Sequence, residues 1–283
     1  MRGRDAEGVT VGTAVDTGEK LLRDAGIATP RVDAEWLVGA AAGLSRSELH
    51  ANDDRTLTDD EARSYERSLD RRRAREPLAY ILGEWGFRRL TLKVDARVLV
   101  PRPETEVVVE RCLELIRDLA EPGVLDVGTG SGAIALAIAD EHPGARVTAI
   151  DVSPDALALA GENASTSGLT VTFVQHDVME GLEGTYDLVV SNPPYVTAEE
   201  IETLEPEVRD WEPRIATVGA EHTATIAEEA ARVLVPGGHL VLEVADSSGE
   251  EVAGLLAGRG YEDVRASSDL AGRDRVVEGR WTR

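Results

Sequence analysis

Cysteine, histidine and long apolar runs are scarce in this sequence of 283 residues. The single cysteine, Cys112, excludes an internal disulfide framework and fits a reducing compartment, so we expect a cytoplasmic protein. Cys112 and five scattered histidines offer no metal-ligand spacing, and we expect no metal site. No stretch approaches the roughly 20 apolar residues of a membrane span. The first residues also lack the apolar region of a secretory signal.

Basic residues are also scarce relative to acidic ones. Thirty basic residues stand against 53 acidic ones, which gives a formal net charge of −23. Affinity for duplex DNA depends largely on neutralising phosphates, so this balance excludes binding through an overall basic surface. The basic run at residues 71–75 closes a helical segment, and we interpret it as a solvated helix end rather than a nucleic-acid patch. We therefore expect neither a direct nucleic-acid partner nor a membrane partner.

The sequence predicts a helical part and a part in which strands and helices alternate, joined by a short β segment. Residues 11–75 predict helices, with Ser45 and Glu48 at capping-box spacing. From Gly123 onward, strands and helices alternate, which predicts a doubly wound α/β sheet with buried parallel strands. Between them, residues 90–94 and 98–100 flank a polar turn and predict a β-hairpin connector. The expected domains are a helical one at 1–82 and a hairpin with an α/β domain at 83–283.

A glycine-rich turn follows the first strand of the α/β part. Its sequence from strand to helix is Asp126-Val127-Gly128-Thr129-Gly130-Ser131-Gly132. Glycines allow a tight turn and a close approach of the backbone to a ligand, whose polar end can meet free N–H groups at the helix start. The spacing differs from the dinucleotide pattern Gly-x-Gly-x-x-Gly. By itself this turn fits either a ligand loop or a plain tight turn.

Acidic residues end the next two strands. Asp151 follows the second strand and could accept hydrogen bonds from ribose hydroxyls. His176-Asp177-Val178 follows the third and could meet an adenine amine and ring face. Each acid alone could be a helix cap or a solvated loop residue. Three strand-end acids in order with the glycine loop favour an adenosine ligand. Because no phosphate loop of the Gly-Lys-Ser/Thr type appears, S-adenosylmethionine is the expected cofactor.

The segment Ser191-Asn192-Pro193-Pro194-Tyr195 ends the fourth strand. Two prolines stop the ladder and stiffen the turn, which fixes the Asn192 amide and the Pro193 carbonyl outside the strand's carboxyl end. Ligands of open α/β sheets lie at that edge. A rigid set of acceptors beside an aromatic ring suits a planar NH2 group, which could belong to glutamine or to a nucleobase.

These motifs resemble the class I S-adenosylmethionine-dependent methyltransferases that modify planar nitrogens. The helical region and the segment Pro101-Arg102-Pro103-Glu104 make the chain similar to the HemK/PrmC family over residues 15–283. That resemblance implies a Rossmann-like methyltransferase domain and methylation of the glutamine side-chain nitrogen in the Gly-Gly-Gln motif of class-1 peptide release factors. The release factor would be the partner, and we expect a monomer.

The resemblance also implies roles for particular residues. Asn192 and the Pro193 carbonyl would accept hydrogen bonds from the substrate amide, with Pro194 stiffening the loop and Tyr195 packing beside the substrate. Residues of the glycine loop and the strand ends would bind the cofactor: Asp126, Gly128, Thr129, Gly130, Ser131, Gly132, Asp151, Asp177, Val178 and Asn192. Val178 stands where many relatives have an aromatic ring. Residues 219–222 and 242–248 also depart from the family pattern.

Other residues have simpler interpretations. We expect Trp36, Trp85, Phe87 and Trp211 in the core or between domains, Cys112 as a buried hydrophobe, and His239 and Glu243 as ordinary strand residues. Arg102 and Glu106 either shape the pocket or pair with each other. The alternative functions are methylation of a ribosomal-protein glutamine, methylation of a nucleic-acid amine, and cofactor binding without catalysis.

Overall fold

The computed structural model describes residues 8–197, 199–219, 222–246, 248–269 and 272–283. The chain forms two compact units. One comprises the chain up to Gly83 together with Pro206–Trp211, and the other comprises Glu84–Glu205 and Glu212–Arg283. The division expected at residues 82 and 83 did not include the second segment of the first unit.

In the described residues, five helices make up the N-terminal part of the first unit. They are α1 Val11–Asp24, α2 Pro30–Ala42, α3 Arg46–Ala51, α4 Asp59–Arg73 and α5 Leu78–Leu82. The capping box at α3 is confirmed, since Ser45 accepts from the Glu48 N–H and Glu48 accepts from the Ser45 N–H. Such a box satisfies two amide donors that a helix start leaves without partners. The apolar faces of α1, α2 and α4 form this unit's core around Leu22, Leu37 and Leu69.

The basic run at the end of α4 differs from the expected solvated helix end. Arg72 is buried, and its guanidinium lies 2.7 Å from Asp33 and 2.7 Å from Glu207. Arg75 lies 2.6 Å from the same Glu207. A buried guanidinium needs carboxylate partners to offset its lost hydration. The prediction was therefore wrong for Arg72, whose charge holds Pro206–Trp211 within this unit.

The β-hairpin lies earlier in the chain than expected. Strand β1 (Glu84–Phe87) pairs antiparallel with β2 (Leu90–Lys93) across a two-residue turn in which Arg88 has a φ of 51°. The prediction of a second strand at 98–100 is wrong. The buried side chain of Val98 packs on Ala156 and Leu159 instead of joining a sheet, and Pro101 follows this segment. Alternating burial also occurs in an extended segment that packs on a helix, so alternation alone did not identify the strand pair.

The second unit alternates helices and strands as expected. In chain order they are α6 Thr105–Ile116, β3 Gly123–Val127, α7 Ala133–Glu141, β4 Arg146–Asp151, α8 Pro154–Ser167, β5 Thr172–Gln175 and β6 Tyr186–Ser191. After β6 the chain enters α9 Pro206–Trp211, which belongs to the first unit. It continues through α10 Arg214–Thr217, α11 His222–Val233, β7 Leu234–Glu243, α12 Gly249–Gly258, β8 Glu262–Ser268 and β9 Asp274–Arg280.

Within the described part of the second unit, seven strands form one sheet in the order β5-β4-β3-β6-β7-β9-β8. The strands from β5 to β7 are parallel, whereas β9 runs antiparallel to both β7 and β8. Every residue of β3 is buried, as expected for a parallel strand covered on both faces. The doubly wound sheet is confirmed, and the antiparallel edge is an addition to it. Strand order reverses between β3 and β6, the position at which such sheets bind ligands.

Two of the side chains expected to be buried are buried, and a third is exposed. Phe87 and Cys112 are buried in the core on the α6 and α7 side of the sheet, whereas Trp36, expected in the core or between domains, is 48% exposed on α2. Among the residues described, no helix combines the length and apolar character needed to cross a bilayer.

Candidate active site

A pocket opens at the carboxyl ends of β3, β4, β5 and β6. It is lined by the turns that follow these strands, by residues 97–102 before α6, and by residues of α10 and α11. The lining includes Gly128–Ser131, Asp151, Asp177, Val178 and Asn192–Pro194. The structure thus brings together the glycine loop, the acids after β4 and β5 and the Asn-Pro-Pro segment. Asp126, Gly132 and Tyr195 are not among the lining residues.

The glycine loop has the left-handed backbone that its sequence suggests. Gly128, Gly130 and Gly132 have φ values of 75°, 55° and 82°. A Cβ at Gly128 or Gly130 would meet nothing within 4 Å, whereas one at Gly132 would lie 3.1 Å from Leu136 and 3.2 Å from Ala160. The first two glycines therefore leave open space in front of the backbone, and the third allows α7 to pack on its neighbours.

The N–H groups of this loop are less available than the sequence suggested. The Gly128 and Thr129 N–H groups donate to the Ile150 carbonyl at 2.9 and 3.0 Å. The Gly130 N–H donates to Asp151 Oδ2 at 2.8 Å. These amides fasten the loop to the end of β4. The first part of the loop therefore offers a ligand its shape, and the free N–H groups expected at the helix start would have to come from the residues that begin α7.

Asp126 lies beneath the glycine loop. Its Oδ2 accepts from the Thr129 hydroxyl at 2.6 Å and from the Ala135 N–H at 3.2 Å. Its Oδ1 is buried without a hydrogen-bond partner in the described part of the chain. Complete burial raises the pKa of Asp126 to about 7 despite these two bonds. The geometry makes Asp126 a support for the loop and for the start of α7.

Asp151 faces the pocket from the end of β4. Its two oxygens accept one N–H each, from Gly130 at 2.8 Å and from Ser153 at 2.9 Å. Burial raises its pKa above the usual value for aspartate. A carboxylate has about four acceptor positions, so each oxygen can still accept from a hydroxyl of a ligand. This arrangement suits the paired hydroxyls of a ribose.

The turn after β5 supplies an aliphatic wall. Val178 is buried and lines the pocket near Ile226, and Asp177 Oδ1 accepts the Met179 N–H at 2.9 Å. His176 is hydrogen-bonded through its Nε2 to the Gly181 carbonyl, which fixes this turn. An apolar wall beside a carboxylate suits a flat ring with an exocyclic amine, as expected for adenine.

The Asn-Pro-Pro-Tyr segment leaves β6 at the other side of the pocket. Asn192 Nδ2 donates to the Thr105 hydroxyl at 3.4 Å, and Asn192 Oδ1 and the Pro193 carbonyl accept no hydrogen bond from the described residues. Tyr195 is 37% exposed. Burial of its hydroxyl region and the nearby Glu243 charge raise the pKa of its phenol. Two acceptors therefore remain for a substrate amide.

Two residues that shape this region were not singled out by the sequence. Thr105, the first residue of α6, lines the pocket and contacts Asn192. Glu212 is buried and accepts from Arg102 and from the Val100 N–H. It therefore holds residues 97–102 at the pocket. Arg102 does not pair with Glu106, whose carboxylate accepts the Arg88 N–H at 3.0 Å. Nothing local in the sequence marks the distant partner of Glu212.

Comparisons with known proteins show what this chain is similar to. A family model described as the PrmC N-terminal domain matches residues 13–83, and one described as the methyltransferase small domain matches residues 107–206. A release factor glutamine methyltransferase of Deinococcus radiodurans is 44% identical over 266 residues, covering 92% of this chain and 94% of that protein. The chain belongs to the release factor glutamine methyltransferase family. Family members of the same name from Streptomyces coelicolor and Caulobacter vibrioides are 42% and 41% identical, covering 92% and 91% of this chain and 94% and 92% of their own.

Solved structures show the same fold. A methyltransferase from Pyrococcus furiosus has a TM-score of 0.50 at 20% identity, covering 69% of this chain and 90% of its own. A 16S rRNA methyltransferase of Thermus thermophilus has a TM-score of 0.52 at 18% identity, covering 70% and 49%. The resemblance and the Rossmann-like methyltransferase fold expected from the sequence are confirmed. In the described ranges, no group of three or more His, Cys, Asp or Glu side chains is arranged to hold a metal ion.

Proposed function

We propose that this chain transfers a methyl group from S-adenosylmethionine to the side-chain amide nitrogen of the glutamine in the Gly-Gly-Gln motif of class-1 peptide release factors. The observation that supports this most directly is the pair of open acceptors, Asn192 Oδ1 and the Pro193 carbonyl, beside a pocket edged by a glycine loop. Family membership supports the same reaction. The enzyme acts in the cytoplasm as a monomer, and its helical domain, residues 1–82, recognises the release factor.

The pocket fits the cofactor on features of this structure. The open space before Gly128 and Gly130 accommodates the methionine part, with Thr129 and Ser131 at its border. Asp151 holds the ribose, and Asp177 and Val178 border the adenine. Asp126 and Gly132 act from below by shaping the loop. S-adenosylmethionine supplies an electrophilic methyl group on a sulfonium.

Asn192 and Pro193 solve the problem posed by an amide nucleophile. An amide nitrogen reacts poorly because its lone pair is delocalised into the carbonyl. Accepting both N–H bonds, at Asn192 Oδ1 and the Pro193 carbonyl, raises electron density on nitrogen and orients it toward the methyl donor. Correct positioning of two bound reactants can supply about 7–11 kcal/mol of barrier reduction. The same oxygens stabilise the positive charge that develops on nitrogen.

The remaining proton needs no strong base at the moment of transfer. Methyl transfer would leave the cofactor as a neutral thioether, and the glutamine nitrogen, with its new N–C bond, would become positively charged and acidic. It then loses one proton to water and returns to a neutral amide. Pro194 keeps the acceptor loop stiff, and Tyr195 packs beside the substrate chain. This order of events requires acceptors beside the substrate nitrogen and no strong base.

The test offers radiolabelled S-adenosylmethionine and the full chain with three acceptors. These are a class-1 release factor, the same factor with alanine in place of the motif glutamine, and ribosomes. Label on the wild-type factor alone is the expected result. Label on a ribosomal protein, or on nucleic acid, would replace the proposed substrate by one of these. Cofactor binding without transfer to any of the three would point to a non-catalytic module.

A further inference from the structure

Asn163 is a buried residue of α8 that is not among the residues lining the pocket. Its side chain makes three hydrogen bonds, all to backbone groups. Oδ1 accepts the Lys93 N–H at 2.7 Å, and Nδ2 donates to the Lys93 carbonyl at 3.1 Å and to the Ser131 carbonyl at 2.9 Å. A side-chain amide has two N–H protons, so Asn163 uses both of its donors here. One side chain thereby joins strand β2 of the hairpin to the glycine loop.

The Ser131 carbonyl has this bond in place of the usual helical one. At a regular helix start, the Ala135 N–H would donate to the carbonyl four residues earlier, which is that of Ser131. Here the Ala135 N–H donates to Asp126 Oδ2 at 3.2 Å instead. Ser131 is buried and lines the pocket, and within the described ranges its carbonyl accepts from Asn163 and from no other group. Asn163 therefore satisfies a backbone acceptor that would otherwise be buried without a partner.

The peptide unit between Ser131 and Gly132 is held from both sides. Gly132 has a φ of 82°, and a glycine backbone rotates more freely than that of any other residue. On one side, the Gly132 N–H donates to the Thr129 carbonyl at 2.9 Å, within the loop. On the other side, the Ser131 carbonyl is held by Asn163, from outside the loop. The shape that this part of the loop presents to the cofactor therefore depends on a bond from α8.

The same helix also holds the chain that runs from the hairpin into the pocket. Glu162, the neighbour of Asn163 on α8, lies 3.0 Å from the Arg97 guanidinium, and Val98 packs on the apolar side of this helix. Both Arg97 and Val98 line the pocket, whereas Lys93, four residues earlier, does not. Helix α8 is thus a common support for the glycine loop and for the residues that reach the pocket from β2.

We propose that Asn163 is a positioning residue for cofactor binding, which acts through the Ser131 carbonyl and couples the glycine loop to strand β2. A ligand that orders the loop must order the Lys93 backbone through the same side chain. By thermodynamic reciprocity, breaking the link to the loop lowers the affinity for S-adenosylmethionine. The proposal concerns the cofactor alone, so it does not depend on which amide the enzyme methylates.

Asn163→Asp is the variant that separates the two halves of this bridge. An ionised carboxylate still accepts the Lys93 N–H, but it has no proton to donate to the Ser131 carbonyl, and the size of the side chain is unchanged. Tyr261→Phe is the matched control. Its hydroxyl donates a buried hydrogen bond to the Ala227 carbonyl at 2.9 Å in the same unit, and Tyr261 is not among the pocket-lining residues. Circular dichroism verifies that both variants are folded, and urea denaturation measures the stability that each has lost.

Calorimetric titration of the full chain with S-adenosylmethionine gives one readout. We expect Asn163→Asp to raise the cofactor Kd by about fivefold or more, the size of a typical coupling between two sites. Tyr261→Phe should change the Kd by less than about twofold, because it loses a buried hydrogen bond that is not connected to the loop. If Asn163→Asp binds the cofactor as tightly as the wild type, or no more weakly than Tyr261→Phe, then Asn163 only stabilises the fold and the proposal is overturned.

Amide hydrogen exchange, followed by NMR in the ¹⁵N-labelled full chain, gives a second readout that needs no variant. In the wild type, bound S-adenosylmethionine should slow exchange of the Lys93 N–H, although Lys93 does not line the pocket. In Asn163→Asp at saturating cofactor, this additional protection should be lost. Exchange at Lys93 that is the same with and without cofactor in the wild type would overturn the coupling. A chain that shows the protection but fails to methylate the release factor would refute the proposed function and leave the coupling intact.

Discussion

Nη2 of Arg102 lies 2.7 Å from both carboxylate oxygens of Glu212, across a separation of 110 residues. Glu212 is buried, and its Oε1 also accepts the Val100 N–H at 3.3 Å. Arg102 keeps 35% of its side chain exposed. Removing Arg102 would leave a buried carboxylate without its cation, whereas removing the Glu212 charge would leave a guanidinium that is partly solvated. The pair ties residues 97–102, which line the pocket, to the chain that follows α9.

This asymmetry predicts unequal costs for removing each partner. Arg102→Met leaves a buried carboxylate without its cation, and we expect a loss of about 1–3 kcal/mol of unfolding free energy, less than for a fully buried pair because Arg102 is partly solvated. Glu212→Gln leaves a guanidinium that water can reach, and it should cost less. Urea denaturation of both variants measures the difference. Equal losses, or a larger loss for Glu212→Gln, would contradict this account.

The buried Asp126 predicts a pH dependence of stability. Its folded pKa of about 7 exceeds the ordinary aspartate pKa of 3.8, so the native state binds a proton that the unfolded state has released at intermediate pH. Stability should therefore decline as pH rises between these two values and level off above about 7. Asp126→Asn keeps an acceptor for Thr129 and Ala135 but has no such titration.

The measurement compares wild type with Asp126→Asn by urea denaturation at pH 5 and pH 8. The stability of the wild type relative to the variant should be lower at pH 8 by a few kcal/mol, since one pKa unit corresponds to about 1.4 kcal/mol. Subtracting the variant removes contributions common to the other carboxyls. An identical difference at both pH values would show that burial does not raise the pKa of Asp126 as stated.

The parts of the site predicted from sequence are those encoded locally. Residues 126–132 and 191–195 combine a strand end with glycine or proline chemistry, and both lie at the expected edge of the sheet. Each motif is contiguous, so its geometry follows from backbone preferences within a few residues. Their meeting in one pocket follows from the parallel strand order.

The parts that escaped prediction depend on distant partners. Glu243 was expected to be an ordinary strand residue, but its burial follows from how α6 packs on β7. Glu212 and Arg72 likewise meet their partners through tertiary structure. The β-hairpin was predicted too far along the chain. Burial alternates along residues 98–100 as in a strand, although Val98 packs on α8. Two segments, 219–222 and 242–248, depart from the family pattern. Ala220 and Glu221 of the first and Ser247 of the second lie outside the described residues.

Gly130→Ala should lower both the stability of the fold and the affinity for the cofactor, and a control variant can separate the two effects. Its φ of 55° disfavours any side chain, and Gly130→Ala should cost about 1–2 kcal/mol of stability. The new Cβ would also enter the open space in front of the loop, so the affinity for S-adenosylmethionine should fall. Gly168→Ala is the matched control, because its φ is 68°, its Cβ would meet nothing within 4 Å, and it ends α8 away from the pocket lining. Calorimetric titration should show weaker cofactor binding for Gly130→Ala alone; weaker binding in both would indicate a general loss of folding.

Asn192→Ala predicts a loss confined to the chemical step. The variant removes one of the two acceptors for the substrate amide, and removing one preorganised group from an active site typically lowers kcat by about 100- to 1,000-fold. The glycine loop and Asp151 are untouched, so the cofactor Kd should change far less than kcat even if the contact expected between Asn192 and the cofactor is lost. Stopped-flow or quench-flow single turnovers with saturating release factor separate methyl transfer from binding. Asn192→Asp provides the comparison, since it restores an acceptor oxygen but introduces a charge and cannot donate to Thr105 when ionised. Near-normal single-turnover rates in Asn192→Ala, with both substrates bound normally, would remove Asn192 from the mechanism and leave the Pro193 carbonyl as the principal acceptor.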